Sequence, residues 1–243
     1  MNKKQAMRLA KKLAEQEAAK QAAQETAGAD AEKAEKKTVE PQIREEDGKE
    51  CAIHDFAIKM SELEWAGDDK PGKYMVAHWP AVREELKEQM VDGQKLDFHE
   101  IRIRIPKGSL ERERSLRMDF CNVMNACDMY YENAELYEEM IPLFRELLEI
   151  RDLSKDDLTR DNYLSAIGVA YHYLGRKDER DRYFEELLAQ GASDYVAGKY
   201  ADVLLDGNEL EKAEKLLANY KDSKEDMIKY KLEELQELKD AKK

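Results

Sequence analysis

The chain has 243 residues, of which 39% are charged and 42% hydrophobic, so it can form a packed core over most of its length. Glycine (11) and proline (5) are scarce, which favours helix over sheet. Residues 1–50 hold 11 basic and 11 acidic side chains, so the whole net charge of -13 belongs to residues 51–243. A folded part this acidic repels nucleic acid and anionic membranes over most of its surface.

The cysteine content favours a reducing compartment. Cys51, Cys121 and Cys127 are few, odd in number and set in apolar surroundings, so we expect no disulfide framework and a cytoplasmic protein. The N-terminus is charged and lacks the apolar stretch of a secretory signal. No run of about 18 apolar residues is present, so no membrane span is expected.

Residues 1–48 are rich in Ala, Lys, Glu and Gln and contain few residues that could be buried. We predict a charged helix or a disordered tail here, because an isolated helix is marginal in water. The first twelve residues hold five basic groups and no acid, a composition compatible with contact to RNA or a membrane. The apolar face is thin, so a solvated tail is the favoured interpretation.

Residues 50–106 form a second predicted segment, either helical or α+β. Apolar residues at helical spacing predict a helix over about residues 51–66. The sequence GDDKPG at 67–72 predicts a loop. Pro80 is expected to open a short helix that Gly93 closes.

An alternating stretch follows near the end of this segment. Ile101, Ile103 and Ile105 alternate with arginines, which is the pattern of a half-buried strand. A single strand is not stable alone. Two alternatives remain: the strand pairs with residues 74–77, or it crosses the helices as an extended segment.

The third predicted segment, residues 109–243, has helical periodicity throughout. Ser109 is a candidate N-cap for its first helix. A second helix is predicted over residues 134–150, with a kink or a break at Pro142. Ser154 and Asp157 form a pair resembling a capping box before the third helix.

A repeated pattern runs through this third segment. Large apolar, small, aromatic and turn residues follow one another at Leu164, Ile167, Gly168, Tyr171, Gly175, Phe184 and Leu187. The same order returns 33 residues later at Tyr200, Ala201, Leu204, Asn208, Ala213, Leu217 and Tyr220. Gly168 would let a partner helix approach closely, and Gly175 would end the first helix in the left-handed conformation. We expect Tyr171 and Leu204 to bury one shared seam.

This pattern resembles the tetratricopeptide repeat, whose period is 34 residues. The resemblance covers about residues 115–240 and implies a mainly α fold, an antiparallel helix-hairpin repeat array. An earlier copy with longer spacing uses Ala126, Met129, Asn133, Phe144 and Leu148, and a helix from Ser223 resembles a terminal capping helix. The sequence departs from the family at Arg180, where a small residue is usual, and lacks the proline after the second helix.

In this family the first helix of each pair lines a concave groove that binds a protein segment. The resemblance therefore implies a partner-binding groove at Tyr130, Tyr131, Asn162, Ser165, Val169, His172, Tyr173, Tyr195 and Asp202. Tyrosine suits such a surface because it offers contact area and a hydroxyl at low entropy cost. The alternative is that the tyrosines simply seal helix junctions. The acidic third pair would favour a basic or neutral ligand.

The predicted function is that of a non-enzymatic adaptor or scaffold that binds a protein or peptide segment. No catalytic motif, metal set or cofactor site is predicted; Cys51 and His54 lack a second ligand pair. One alternative is a regulatory protein that contacts nucleic acid through the basic run at 102–117, although interleaved acids favour ion pairs on a solvated helix. Another is an acidic, immunity-type partner that neutralises a basic protein, and a third is an enzyme with its site in residues 50–106.

Overall fold

The computed structural model describes residues 51–63, 68–105, 113–154 and 157–241, and these residues are mainly helical with no strand among them. The helices are α1 (Ala52–Leu63), α2 (Lys70–Lys87), α3 (Glu113–Asn125), α4 (Cys127–Asn133), α5 (Tyr137–Ile150), α6 (Leu158–Tyr173), α7 (Lys177–Ala189), α8 (Asp194–Asp206), α9 (Leu210–Leu217) and α10 (Asp226–Asp240). The prediction of a mainly α protein is confirmed for this part of the chain. The predictions for residues 1–48 and for Ser109 fall outside it.

Helix α2 differs from its prediction at both ends, and it ends at Lys87, so Gly93 does not close it. It begins at Lys70 with Pro71 in its first turn, where the missing amide hydrogen is not needed, so the predicted loop at 67–72 is wrong beyond residue 69. It continues through Pro80, which lies on the exposed face. The buried side chains of Met75, Trp79 and Val82 supply the packing that offsets the lost hydrogen bond.

The isoleucine alternation is buried as predicted, but it forms no ladder. Ile101, Ile103 and Ile105 are all buried, and the segment is extended without strand pairing in the described residues, so the crossover alternative is correct. The side-chain amide of Gln89 substitutes for a neighbouring strand: it accepts from the Arg102 N–H at 2.7 Å and donates to the Arg102 carbonyl at 2.8 Å.

The first hydrophobic core joins helices α1 to α6 and the extended segment. Its largest members include Phe56, Trp79, Phe120, Phe144 and Tyr163. Residues predicted as a separate N-terminal segment therefore pack in the same core as the helices that follow them.

The second core lies between α6, α7, α8, α9 and α10, with Phe184, Leu204 and Ile228 fully buried. Tyr171 and Leu204 were expected to be buried in one shared seam. Instead, Tyr171 belongs to the first core and Leu204 to the second. Tyr183 links the two cores, because its ring contacts both Tyr171 and Phe184.

Helix α6 is shared by both cores and packs against α5, α7 and α8. Its N-cap is Asp157, whose carboxylate accepts from the Thr159 N–H at 2.8 Å, so Ser154 does not cap it. Helix α8 packs in turn against α9 and α10. At Gly168 an added Cβ would lie 2.3 Å from a ring carbon of Phe184, which confirms that this glycine permits close approach of α7.

Three helix connections have the same length and shape. Each has three residues, and the middle residue has a positive φ: 56° at Glu135, 73° at Gly175 and 60° at Asn208. The following N–H closes the turn on the carbonyl five residues earlier, in Leu136–Tyr131, Arg176–Tyr171 and Glu209–Leu204. The left-handed prediction for Gly175 is confirmed. Asn133, predicted as the equivalent position, is instead the last residue of α4, and Glu135 occupies that position.

Candidate functional site

The predicted groove residues divide into a buried and an accessible group. Tyr130 and Tyr131 are 2% and 1% exposed, as expected of tyrosines that seal helix junctions. Ser165 and Val169 are also buried, although they lie on the same stripe of α6 as accessible residues. These four predicted groove residues are therefore buried beneath the surface and are not accessible to a partner.

The accessible group lies on adjacent stripes of α6 and α8. We call this surface the α6–α8 face; it comprises Asn162, His172, Tyr173, Tyr195, Asp202 and Asp206, all half-buried except the more exposed Tyr173. Tyr195 follows Asn162 by 33 positions, and its hydroxyl donates a long 3.4 Å hydrogen bond to the Asn162 side-chain oxygen. At the other end, His172 and Asp206 join the same two helices at 3.2 Å. The face is therefore held together by its own polar side chains.

The neighbours of His172 indicate which of its ring nitrogens donates. The guanidinium of Arg180 lies 3.1 Å from His172 Nδ1 and can only donate, so Nδ1 must carry the lone pair. The ring hydrogen is then on Nε2 and points to the Asp206 carboxylate. In this arrangement the His172 ring links Arg180 on α7 to Asp206 on α8.

Arg180 is the centre of a buried ion-pair network below this end of the face. Its side chain is fully buried and donates to both Glu209 oxygens, at 3.0 and 3.1 Å, and to Asp181 at 2.7 Å. Burial acts to raise the pKa of Asp181, but hydrogen bonds from Lys212 and Arg180 outweigh it and hold that pKa below its usual value. The sequence marks Arg180 only as a departure from the family. Of the two acids that satisfy it, Asp181 is its neighbour on α7 and Glu209 lies in the turn before α9.

The α8 side of the face is less acidic than its composition suggested. The buried ammonium of Lys231 on α10 contacts both Asp202 and Glu234. Burial acts to lower the pKa of Lys231, yet the two carboxylates raise it above its ordinary value, so the ammonium stays charged. Two carboxylates sharing one ammonium leave one negative charge at this point.

Aromatic rings line the α6 end of the face. Tyr173 stacks on Tyr137 with ring centroids 4.8 Å apart and an interplanar angle of 20°. The His172 ring meets Tyr173 in a T-shaped contact at 5.1 Å. Tyr195 is contacted by the ammonium of Lys199, 5.4 Å from its ring centre. The predicted tyrosines that remain accessible are thus held by specific ring contacts.

Two of the four arginines that the structure describes in the basic run at 102–117 form ion pairs. Arg104 contacts Glu88 and the buried Glu85, and Arg117 contacts Glu113 one helical turn away at 3.2 Å. Lys107 and Arg112 lie outside the described residues. The geometry favours the ion-pair alternative for this run.

The three cysteines all lie among the described residues, and they are buried and form no disulfide. Burial raises the pKa of Cys121 to about 11 and that of Cys127 well above its ordinary value. Within the described ranges, no three His, Cys, Asp or Glu side chains converge as metal ligands. In the same ranges no helix combines the length and apolar character needed to cross a membrane.

Comparison of the chain with protein-family models, with curated proteins and with solved structures finds no match in any of the three. The residues of the α6–α8 face are therefore the evidence on which a proposal of function can rest.

Proposed function

We propose that the protein is a non-enzymatic adaptor or scaffold that binds a segment of another protein on the α6–α8 face. The observation that carries this proposal is the pairing of Asn162 with Tyr195, equivalent positions 33 residues apart that meet through a 3.4 Å hydrogen bond. Helices α6 and α8, which pack against each other, thereby present one continuous surface. A folded partner segment or peptide can lie across both.

The proposed architecture is an antiparallel helix-hairpin array of the tetratricopeptide type. It is supported by the three equivalent turns at Glu135, Gly175 and Asn208. It is also supported by two close helix approaches at glycine: Gly168 against Phe184, and Gly198, where an added Cβ would lie 2.4 Å from the Met227 side chain. Stacked hairpins of this kind leave the first helix of each pair on a common concave side.

The chemistry of the face suits a polypeptide ligand. Asn162 supplies an amide, Tyr173 and Tyr195 supply rings with hydroxyls, and Asp202 supplies a carboxylate. Side chains of this mixture provide apolar contact together with hydrogen bonds to a peptide backbone. The carboxylates of α8 favour a neutral or basic segment. The three cysteines are buried and form no disulfide, as is usual in a reducing compartment such as the cytoplasm.

A display selection tests the proposal. Random peptides are selected on the full chain, and the affinities of the recovered peptides are measured for the wild type, for Asn162→Arg and for Asn122→Arg. Asn122 is the matched control, because it is an exposed asparagine on α3, remote in sequence from the face. We expect Asn162→Arg to weaken binding at least tenfold, since a long charged side chain enters the middle of the face, and Asn122→Arg to leave it unchanged.

Thermal unfolding of both variants is measured alongside, so that loss of binding is compared only between folded proteins. Selected peptides that bind wild type and Asn162→Arg equally well would place the binding surface elsewhere and overturn the proposal. A selection that recovers no peptide above background would do the same.

A further inference from the structure

A hydroxyl–carboxylate pair joins α6 to α8 beside the centre of the α6–α8 face. The side-chain hydroxyl of Ser193 donates to Asp161 Oδ2. Asp161 precedes Asn162 in the chain, and Ser193 lies two residues before Tyr195. The pair is therefore next to the Asn162–Tyr195 hydrogen bond, which at 3.4 Å is a weak contact.

Ser193 gives up a local role to make this contact. It is the N-cap residue of α8, and serine at that position usually accepts a hydrogen bond from the first turn of its own helix. The Ser193 side chain forms no capping bond, and its hydroxyl donates to α6 instead. The tie between the two helices thus replaces a bond that would stabilise α8 alone.

Asp161 is retained at a cost to stability. It is 4% exposed, so its carboxylate is removed from solvent. Among the described residues no group donates a hydrogen bond to its Oδ1, and the ion-pair contact of that oxygen is Arg160 Nη1 at 3.7 Å. A buried carboxylate with one oxygen short of a donor lowers the free energy of unfolding. Local costs of this kind are expected where a residue serves function rather than stability.

The same pair of residue types recurs at the next junction. The hydroxyl of Ser223, in the connection before α10, donates to Asp194 Oδ2. Asp194 follows Asp161 by 33 residues, so the two carboxylates occupy equivalent places on α8 and α6. The second pair ties the start of α10 to α8 and leaves the relation of α6 to α8 unchanged, which makes it a matched control.

We propose that Asp161 and Ser193 are positioning residues that hold Asn162 and Tyr195 at the spacing which the bound segment recognises. This inference rests on the proposed function and assigns the contact that sets its geometry. Asp161 is covered by its neighbours and does not touch the segment; it acts through Ser193, which fixes the start of α8 against α6. Without that bond the two helix starts can separate, and binding must then realign them.

The test uses the peptides selected on the full chain. Their affinities and the Tm of the protein are measured for wild type, Ser193→Ala, Ser193→Thr, Ser223→Ala and Asp161→Leu. We expect Ser193→Ala to weaken binding about three- to tenfold, and Ser193→Thr, which keeps the hydroxyl, by less than about twofold. Ser223→Ala should also change affinity by less than about twofold, although it removes the same kind of hydrogen bond.

Asp161→Leu separates positioning from stability. It should weaken binding as much as Ser193→Ala, while its Tm stays equal to or above that of wild type, because a half-satisfied buried charge is replaced by an apolar side chain of similar size.

Three outcomes would overturn the inference: unchanged affinity in Ser193→Ala or Asp161→Leu, equal losses of affinity in Ser193→Ala and Ser223→Ala, or a fall in the Tm of Asp161→Leu in parallel with its affinity. In each case peptides that still depend on Asn162 leave the proposed function standing. Peptides that bind wild type and Asn162→Arg equally well would overturn both.

Discussion

Glu135 and Gly175 occupy the same position in two helix connections of one shape. Both have a left-handed backbone, with φ of 56° and 73°, and in both turns the next N–H closes on the carbonyl five residues earlier. Glycine adopts this conformation without steric cost, whereas a residue with a Cβ does so at a cost of about 1–2 kcal/mol. The first turn therefore stores strain that the second does not.

Replacing Glu135 by glycine should relieve that strain. We expect Glu135→Gly to raise the free energy of unfolding by about 1 kcal/mol, measured by urea denaturation, after allowance for the larger entropy of glycine in the unfolded chain. The matched control is Glu185→Gly, at an exposed position inside α7, which should lower the free energy of unfolding by about 1 kcal/mol. If both variants lose stability equally, Glu135 is not in the left-handed region.

The glycines at Gly168 and Gly198 should differ in their tolerance of alanine. An added Cβ at Gly168 meets the ring of Phe184, a fully buried aromatic that cannot move aside, so we expect Gly168→Ala to cost about 2 kcal/mol. At Gly198 the Cβ meets the flexible side chain of Met227, and the better helix propensity of alanine offsets most of the clash, leaving less than about 1 kcal/mol.

Urea denaturation of the two variants, and of Gly168→Ala combined with Phe184→Leu, measures this difference. The smaller leucine should make the added methyl group at position 168 less costly than it is in the presence of phenylalanine. Equal losses for Gly168→Ala and Gly198→Ala would contradict the packing described here.

The parts of the fold that could be predicted from the sequence are those set by short-range sterics. The left-handed turn at Gly175 was predictable because residues other than glycine adopt that conformation at a steric cost. The burial of Ile101, Ile103 and Ile105 was predictable because burial of every second residue leaves a period of two in the sequence. The start of α2 was missed because Pro80, predicted to open the helix, lies inside it on an exposed face, where packing of the opposite side outweighs one lost hydrogen bond.

The site was harder to predict, because exposure depends on how each helix is rotated against distant neighbours. Tyr130 on α4 and Tyr173 on α6 were both predicted to lie in the groove, yet Tyr130 is buried and Tyr173 is exposed. The network around Arg180 depends on Glu209, 29 residues away, and no local pattern specifies that pair. The 33-residue spacing of Asn162 and Tyr195 was the one sequence feature that indicated two side chains lying next to each other on the α6–α8 face.

Arg180 should be among the positions least tolerant of an apolar residue. Arg180→Met would leave the carboxylates of Glu209 and Asp181 without their shared buried cation, and we expect a loss of about 3 kcal/mol in the free energy of unfolding. Arg182→Met is the control, since Arg182 is exposed and forms no ion pair with the described residues; it should change stability by less than about 0.5 kcal/mol.

A second substitution separates charge from packing at this site. Adding Glu209→Gln to Arg180→Met removes a carboxylate that has lost its buried partner and keeps only the exposed ammonium groups of Lys177 and Lys212. The double variant should therefore be more stable than Arg180→Met alone. Additive losses would mean that Arg180 acts through its volume and not through its charge.

Glu85 should give stability a pH dependence opposite to that of an ordinary surface carboxylate. Its side chain is buried, with one oxygen accepting from the Ile53 N–H at 3.1 Å and the other 3.9 Å from Arg104. Burial raises its pKa above 4.5, and the hydrogen bond and Arg104 compensate only in part. A carboxyl whose pKa is higher in the folded than in the unfolded state contributes its full stability below about pH 4.5 and loses it as pH rises through the folded value.

Urea denaturation of wild type and Glu85→Gln at several pH values isolates this contribution, because all other groups are common to both proteins. We expect the free energy of unfolding of wild type to fall relative to that of Glu85→Gln between pH 4 and 7; a difference that stays flat or rises would show that Arg104 and the backbone donor outweigh burial.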